Sequence, residues 1–319
     1  MLPFDPLFRN SHAATLAGNF WKRPDLTPWP VEARIYQTEQ DVRVLVHTQM
    51  PAGKPRGHLV LVHGLEGSSD SGYARSMAHK ALSLGYGAHR FNMRSCGGTD
   101  ELSVTAYHAG QTSDLLFVLR EMRRTNPEPL FLVGFSLGAN VALKLAGELA
   151  ESASELLTRV AAISTPIDLA AGVRALARWD NRIYQNRFVG RLKERIARRH
   201  VQAPEIYKLE YLSKVRTIED FDEYYTAQLF GFGSAQNYFR TQSCGQFLEH
   251  IRVPTLMLQA KDDPMIPFSS YDIPVFQSNP HLRLITPDYG GHLRFLSRQN
   301  PRFWADEVMG LWLDESKAY

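Results

Sequence analysis

Cysteine is scarce in this chain: there are two, Cys96 and Cys244. Two thiols imply no disulfide framework, and reduced thiols in a cytoplasmic protein are the simplest expectation. Long apolar runs are missing as well. None approaches the roughly 18 to 20 residues that a membrane-crossing helix needs. The opening MLPFDPLFRN lacks a basic stretch followed by an apolar core, so no secretory signal is expected. Neither sign of charge dominates. The formal net charge is +3, too small to point to nucleic acid. G-x-x-x-x-G-K-[ST] and H-E-x-x-H are both absent, so no nucleotide, metal or other cofactor is expected. Internal repeats and low-complexity tracts are also lacking.

What is present is ordinary globular material: 319 residues, 44% hydrophobic and 22% charged. That length suits one large α/β domain with an insert, and its core needs no disulfide or metal. Residues 1–40 are rich in proline and aromatics and read as an irregular arm whose aromatics want burial. VRVLVHT (42–48) alternates as a half-buried strand does. HLVLVHG (58–64), YGAHRFN (86–92), PLFLVGF (129–135) and VAAIST (160–165) read as further strands. Helical spacing fills 71–85, about 108–125 and 137–150.

Strands and helices alternating in this way predict a mostly parallel central sheet with helices on both faces. The rhythm breaks from 168 to 250, where the chain is helical, aromatic and charged. It resumes with PTLMLQA (254–260), HLRLIT (281–286) and a helix near 301–314. The expected organisation is a core of 1–167 and 251–319 carrying a helical cap or lid at 168–250.

Gly134-Phe135-Ser136-Leu137-Gly138 matches G-x-S-x-G. About one chain in ten of this length shows that pattern by chance, given ordinary glycine and serine usage. Its setting makes it informative, because an apolar strand ends where it begins and an amphipathic helix follows. Glycines two residues either side let the serine stand on a sharp turn without side-chain collisions. Ser136 is the expected nucleophile. The turn aims the Leu137 N–H at the reacting carbonyl. His63-Gly64-Leu65-Glu66-Gly67 closes an earlier strand and supplies a second donor, the Leu65 N–H. Two such donors form an oxyanion hole. His63 is expected to pack its loop.

A serine hydroxyl needs a base, and in the order Ser…Asp…His that base comes late. Among His200, His250, His281 and His292, the last lies on the glycine-rich Tyr289-Gly290-Gly291-His292 loop beyond the final strand. His292 is the expected base. The acid follows the strand ending at Ala260. Spacing of the form G-x-x-D-x-x-x-P, with Ala260 in the glycine place and Pro267 in the proline place, selects Asp263. Asp262 is then left as a solvated or loop-capping carboxylate.

HGLEGSSDSGYARSMA, NMRSCGG (92–98), YHAGQTSDL (107–115), GFSLGAN and AKDDPMIP together resemble the YheT-like branch of the α/β-hydrolases, from about residue 8 to about 305. The resemblance implies the α/β-hydrolase fold, a Ser136, Asp263 and His292 triad and carboxylic-ester hydrolysis. One departure is Ser95, where the family often has glycine, which suggests an altered pocket wall. Asn92 and Arg94 are candidates for lining the site or for holding their own loop.

Residues 171–200 hold nine basic residues against Asp180 and Glu194, a net charge of +7. A basic amphipathic cap suits an anionic membrane surface or an acidic substrate, and a solvated helix face is the plainer expectation. Phe221, Tyr224, Tyr225, Phe230, Phe232, Tyr238 and Phe239 supply apolar surface for the cap's packing or for an acyl pocket. The leading expectation is a serine hydrolase acting on an acyl ester or lipid through an acyl-enzyme. An acyltransferase on the same triad would need an acceptor site that excludes water. A non-catalytic binding protein of this fold is the third reading.

Overall fold

The computed structural model describes residues 2–18 and 20–314. One sheet holds eight strands: β1 Glu32–Glu39, β2 Val42–Gln49, β3 His58–Val62, β4 Gly87–Phe91, β5 Leu130–Phe135, β6 Arg159–Ile163, β7 Thr255–Leu258 and β8 Leu282–Ile285. Their order is β1-β2-β4-β3-β5-β6-β7-β8. The pairs β1–β2 and β2–β4 are antiparallel, and every pair from β4 to β8 is parallel.

The parallel strands read as continuous apolar runs because both of their faces are covered. Along β3, Leu59 and Leu61 pack with Met77 and Ala81 of helix Gly72–Ser83 and with Met309 and Trp312 of helix Trp304–Leu313. Val60 and Val62 point the other way, toward Leu115 and Leu119 of helix Ser113–Thr125 and Ala142 and Leu145 of helix Leu137–Leu149. Alternation across the sheet puts successive residues on opposite faces. Burying each such Leu or Val contributes about 1.5 to 3 kcal/mol.

The reading of 1–40 as an irregular arm needs correction. It contains helix Ser11–Ala17 and the whole of β1. β1 is an edge strand with mostly exposed side chains, so EARIYQTE carries no apolar face that marks it as a strand. The helix at 108–125 begins at Ser113 instead. The preceding residues form a loop tied down by Asn140, whose Nδ2 donates to Ala109 O (2.9 Å), and by Lys144, which donates to Gly110 O (3.2 Å).

Between β6 and β7 lie helices Leu169–Leu176, Arg182–Gln202 and Ala235–Gln242, with shorter turns, and no strand among the described residues. This segment sits over the C-terminal ends of the parallel strands, where Leu169, Phe188, Phe221 and Phe239 wall a cavity that also reaches Ser136. Among the described residues no helix is long and apolar enough to cross a membrane.

Candidate active site

Four loops leave the C-terminal ends of β3, β5, β7 and β8 and converge. This edge is where open α/β sheets place their chemistry. At the end of β5, Ser136 adopts φ 52° and ψ −121°, a left-handed conformation that a serine pays for. Its N–H is anchored to Ile163 O at 2.8 Å. The flanking glycines are required by contact. A Cβ on Gly134 would stand 2.4 Å from Ala139 Cα, and one on Gly138 would stand 2.3 Å from His63 O. Gly138→Ala is therefore expected to push the Leu137–Leu149 helix off β3 and lower stability by about 3 kcal/mol. A urea unfolding midpoint unchanged from the parent would contradict this.

The three residues predicted for catalysis meet. His292 Nε2 lies 3.0 Å from Ser136 Oγ, and His292 Nδ1 lies 2.8 Å from Asp263 Oδ2. The Asp263 carboxylate is shut off from solvent and the imidazole nearly so. Asp263 Oδ1 accepts the N–H of Met265 (2.9 Å) and of Ile266 (3.1 Å), and Oδ2 also accepts from Gln259 Nε2 (3.2 Å). Every lone pair pointing inward thus has a donor, as a buried carboxylate needs. Asp262 does something different: its Oδ1 accepts the Gly291 N–H at 2.9 Å and so shapes the loop that carries His292.

Leu65 and Leu137 both border the Ser136 cavity. Neither N–H donates to any acceptor among the described residues. Leu137 opens its helix, where the first N–H groups have no partner within the helix. The Leu65 loop is held from three sides. Tyr73 OH accepts the Gly64 N–H (2.9 Å), and Tyr107 OH accepts the Glu66 N–H (2.9 Å). The Glu66 carboxylate, at a residue with φ 53°, takes a buried ion pair at 2.9 Å from Arg195 of the Arg182–Gln202 helix. The Arg195 guanidinium lies over the Tyr107 ring at 4.6 Å.

His63 packs its loop as expected. Its Nδ1–H donates to Gly64 O at 2.8 Å and its Nε2 accepts the Met93 N–H at 3.2 Å. Complete burial pushes its imidazole down to about 4, so it stays neutral. Asn92 and Arg94 hold structure. Asn92 Oδ1 accepts the Ser69 N–H at 2.8 Å, and Arg94 pairs with Asp114 and Glu39. Ser95 does not alter the pocket wall as suggested. It is buried in its own loop at φ 61°, a left-handed position, which is why glycine suits that place. Cys96 and Cys244 are free and buried, and burial raises both thiols.

Several supports carry no mark in the local sequence. Thr15 Oγ1 accepts the His292 N–H (2.9 Å) across 277 residues, and Ser164 Oγ accepts the Leu293 N–H (3.0 Å). Gln259 and Tyr271 back Asp263, Tyr271 donating to Gln259 Oε1 at 3.2 Å. Thr15, Ser164, Gln259 and Tyr271 all lie outside the segments that carry the family resemblance.

Two cavities open from Ser136 and His292, sharing Leu65, Phe188 and Met265 as well. One is lined mainly by apolar side chains. Of the aromatics expected to pack or to line a pocket, Phe221, Tyr238 and Phe239 line it. Tyr224 stacks on Tyr211, while Phe230 and Phe232 pack against His108. The other, more polar cavity adds Thr15, Ser68, Asp70 and Ser71 to its apolar side chains. The basic stretch 171–200 is not one solvated face. Arg195 and Arg199 are buried, Arg178 pairs with Asp180 and Arg198 with Asp100, and Arg187 and Arg191 line the polar cavity. Among the described residues no three His, Cys, Asp or Glu side chains gather as a metal site would.

Residues 57–299 match the family model described as the alpha/beta hydrolase fold. Over 96% of this chain and 91% of its own, the Escherichia coli protein named "Putative esterase YheT" is 32% identical. The monoacylglycerol lipase of Saccharomyces cerevisiae is 29% identical over 79% of this chain and 57% of its own. Among solved structures, the Pyrococcus furiosus esterase Pf2001 superposes with a TM-score of 0.59 at 16% identity, covering 92% of this chain and 96% of that one. At that identity the likeness speaks for the fold alone. The long family match and the identity with YheT over nearly the whole length carry the conclusion: the chain belongs to the α/β-hydrolase family, in its YheT-like branch.

Proposed function

We propose that this protein hydrolyses carboxylic esters by covalent catalysis at Ser136. The observation that carries the reading is the unbroken hydrogen-bond relay from Asp263 through His292 to Ser136, at 2.8 and 3.0 Å. It lies beside two N–H groups that have no acceptor among the described residues. The esterase and lipase names of its relatives agree with it.

In this mechanism Ser136 Oγ attacks the ester carbonyl carbon as His292 Nε2 takes its proton. Asp263 accepts the Nδ1–H bond, which fixes the tautomer and stabilises the imidazolium. Negative charge forms on the carbonyl oxygen, and the Leu65 and Leu137 N–H groups receive it. Collapse breaks the bond to the alcohol oxygen, which leaves with the proton from His292. Water then attacks the acyl-enzyme by the same route in reverse. The apolar cavity takes the acyl chain, and residues 168–250 act as the cap that closes it, with Leu192 and Phe221 against the chain. Short- to medium-chain acyl esters or lipids are the substrates this space suits.

The test is a series of p-nitrophenyl esters from acetyl to dodecanoyl, with a fluorophosphonate probe of the nucleophile. Turnover that peaks at a short or medium chain is expected, together with stoichiometric labelling. Absence of both would overturn the proposal.

A further inference from the structure

The turn that carries the Leu65 N–H is unusual at its third position. It runs from Gly64 to Gly67 and is closed by the Gly67 N–H, which donates to Gly64 O at 3.0 Å. Glu66 stands at the third position with φ 53°. Turns with positive φ at that place take glycine or asparagine, because a Cβ is strained there. A strained residue persists only where its surroundings hold it. Here they hold the glutamate at both ends. Tyr107 OH accepts its N–H (2.9 Å) and donates to its Oε1 (3.2 Å). Two further contacts come from the Arg182–Gln202 helix. Arg195 Nη2 pairs with Glu66 Oε1 at 2.9 Å, and Arg191 Nη1 donates to Glu66 O at 3.2 Å.

The Glu66–Arg195 pair is sealed from water, both side chains being more than nine-tenths buried. Among the described residues Glu66 is the one carboxylate paired with Arg195, whose Nε and Nη1 have no hydrogen-bond partner. Asp222 lies nearby but is a poor substitute. Burial brings its carboxyl up to about 7, and its Oδ1 already accepts the Thr226 hydroxyl at 2.6 Å. A buried charge deprived of its partner seeks water, and turning Glu66 outward would also relieve its strained φ.

Gly64 O and the Leu65 N–H belong to one peptide unit, and in a planar trans peptide they point in opposite directions. The bond from Gly67 to Gly64 O therefore sets the aim of the Leu65 N–H, and that bond depends on the left-handed turn at Glu66. We infer that Arg195 is a positioning residue for the oxyanion hole: acting through Glu66, it keeps the Leu65 N–H aimed at the ester carbonyl oxygen. This rests on the ester-hydrolase reading above. The helix between β6 and β7 thus completes a donor site that the loop after β3 does not hold by itself.

The experiment measures turnover of p-nitrophenyl acetate and inhibition by 1,1,1-trifluoro-2-octanone. The ketone takes Ser136 Oγ on its carbonyl carbon, the serine proton passes to His292, and the oxygen is left anionic against the same N–H groups. Arg195→Met is expected to lower kcat by about 30-fold and to raise the Ki of the ketone by a similar factor. The loss stays short of the roughly 100-fold or more for a donor removed outright, because the His63 Nδ1–H still holds Gly64 O. KM should move by less than about threefold, since acylation and deacylation both pass through an oxyanion and slow together. Adding Glu66→Gly to Arg195→Met should recover most of the lost rate, because glycine is unstrained at that φ and no buried charge is left unpaired. Should Arg195→Met fail to fold, Arg195→Lys takes its place. Its single-headed cation is expected to lower kcat and raise Ki together by about fivefold, and no change in either would overturn the inference. So would an Arg195→Met enzyme as active as the parent, a kcat loss with Ki unchanged, or a loss that Glu66→Gly does not relieve. Each of these leaves ester hydrolysis standing. A parent protein that neither turns over the ester nor is inhibited by the ketone would overturn both.

Discussion

Ser136→Ala is expected to abolish fluorophosphonate labelling and to lower kcat toward p-nitrophenyl esters by about 10⁶-fold. The loss is this large because nothing nearby can take over. Both ring nitrogens of His63 are committed to Met93 and Gly64, and the thiols of Cys96 and Cys244 are buried outside the cavities that reach His292. What remains is the residual catalysis of the two N–H donors and of substrate binding, which in such sites still exceeds water. The fold should not suffer. Alanine at φ 52° is strained to the same degree as serine, and only one hydrogen bond is lost, so stability should change by about 1 kcal/mol or less. A variant that stays folded, labels and turns over at more than a thousandth of the parent rate would remove Ser136 from the mechanism.

Asp263→Asn is expected to lower kcat by about 10⁴-fold, although it changes a single atom. The surroundings decide which way the new amide points. Two backbone N–H donors, from Met265 and Ile266, aim at Oδ1, so the amide oxygen takes that place. The NH₂ group then faces His292 Nδ1 and turns it into an acceptor. The imidazole proton moves to Nε2, and the nitrogen beside Ser136 Oγ, 3.0 Å away, has no free lone pair for the serine proton. Asp262→Asn is the informative contrast. Its Oδ1 accepts the Gly291 N–H, which an amide oxygen serves equally well, so kcat should fall by about tenfold or less. If the two asparagine variants were equally impaired, the assignment of the acid from its spacing to Pro267 would be wrong. Steady-state rates on one ester at pH 8 separate the cases.

How far such residues can be read without coordinates depends on how local their reasons are. Leu59 to Val62 could be placed in a strand because a strand covered on both faces must be apolar throughout. Gly134 and Gly138 were legible for a similar reason. Their contacts, with Ala139 and His63, are forced by the turn itself, so the pattern appears wherever the turn does. β1 escaped because an exposed edge strand has no apolar face to betray it. The start of helix Ser113–Thr125 is not legible locally because the loop before it is ordered by Asn140 and Lys144, about 30 residues away.

Sequence alone therefore determined the parallel core, the serine on its turn, the glycine-bearing loops beside it and the chain order of Ser136, Asp263 and His292. Each depends on steric or burial rules acting over a few neighbouring residues. Only the tertiary structure decided which groups hold those residues in place. That Thr15 secures the His292 loop and that Arg195 locks the Glu66 loop are consequences of packing between distant segments. A basic stretch looks the same in sequence whether its arginines face water, a carboxylate or a substrate. The faces are sorted only when the helix is laid against the sheet edge, because desolvation and pairing are properties of the space between elements.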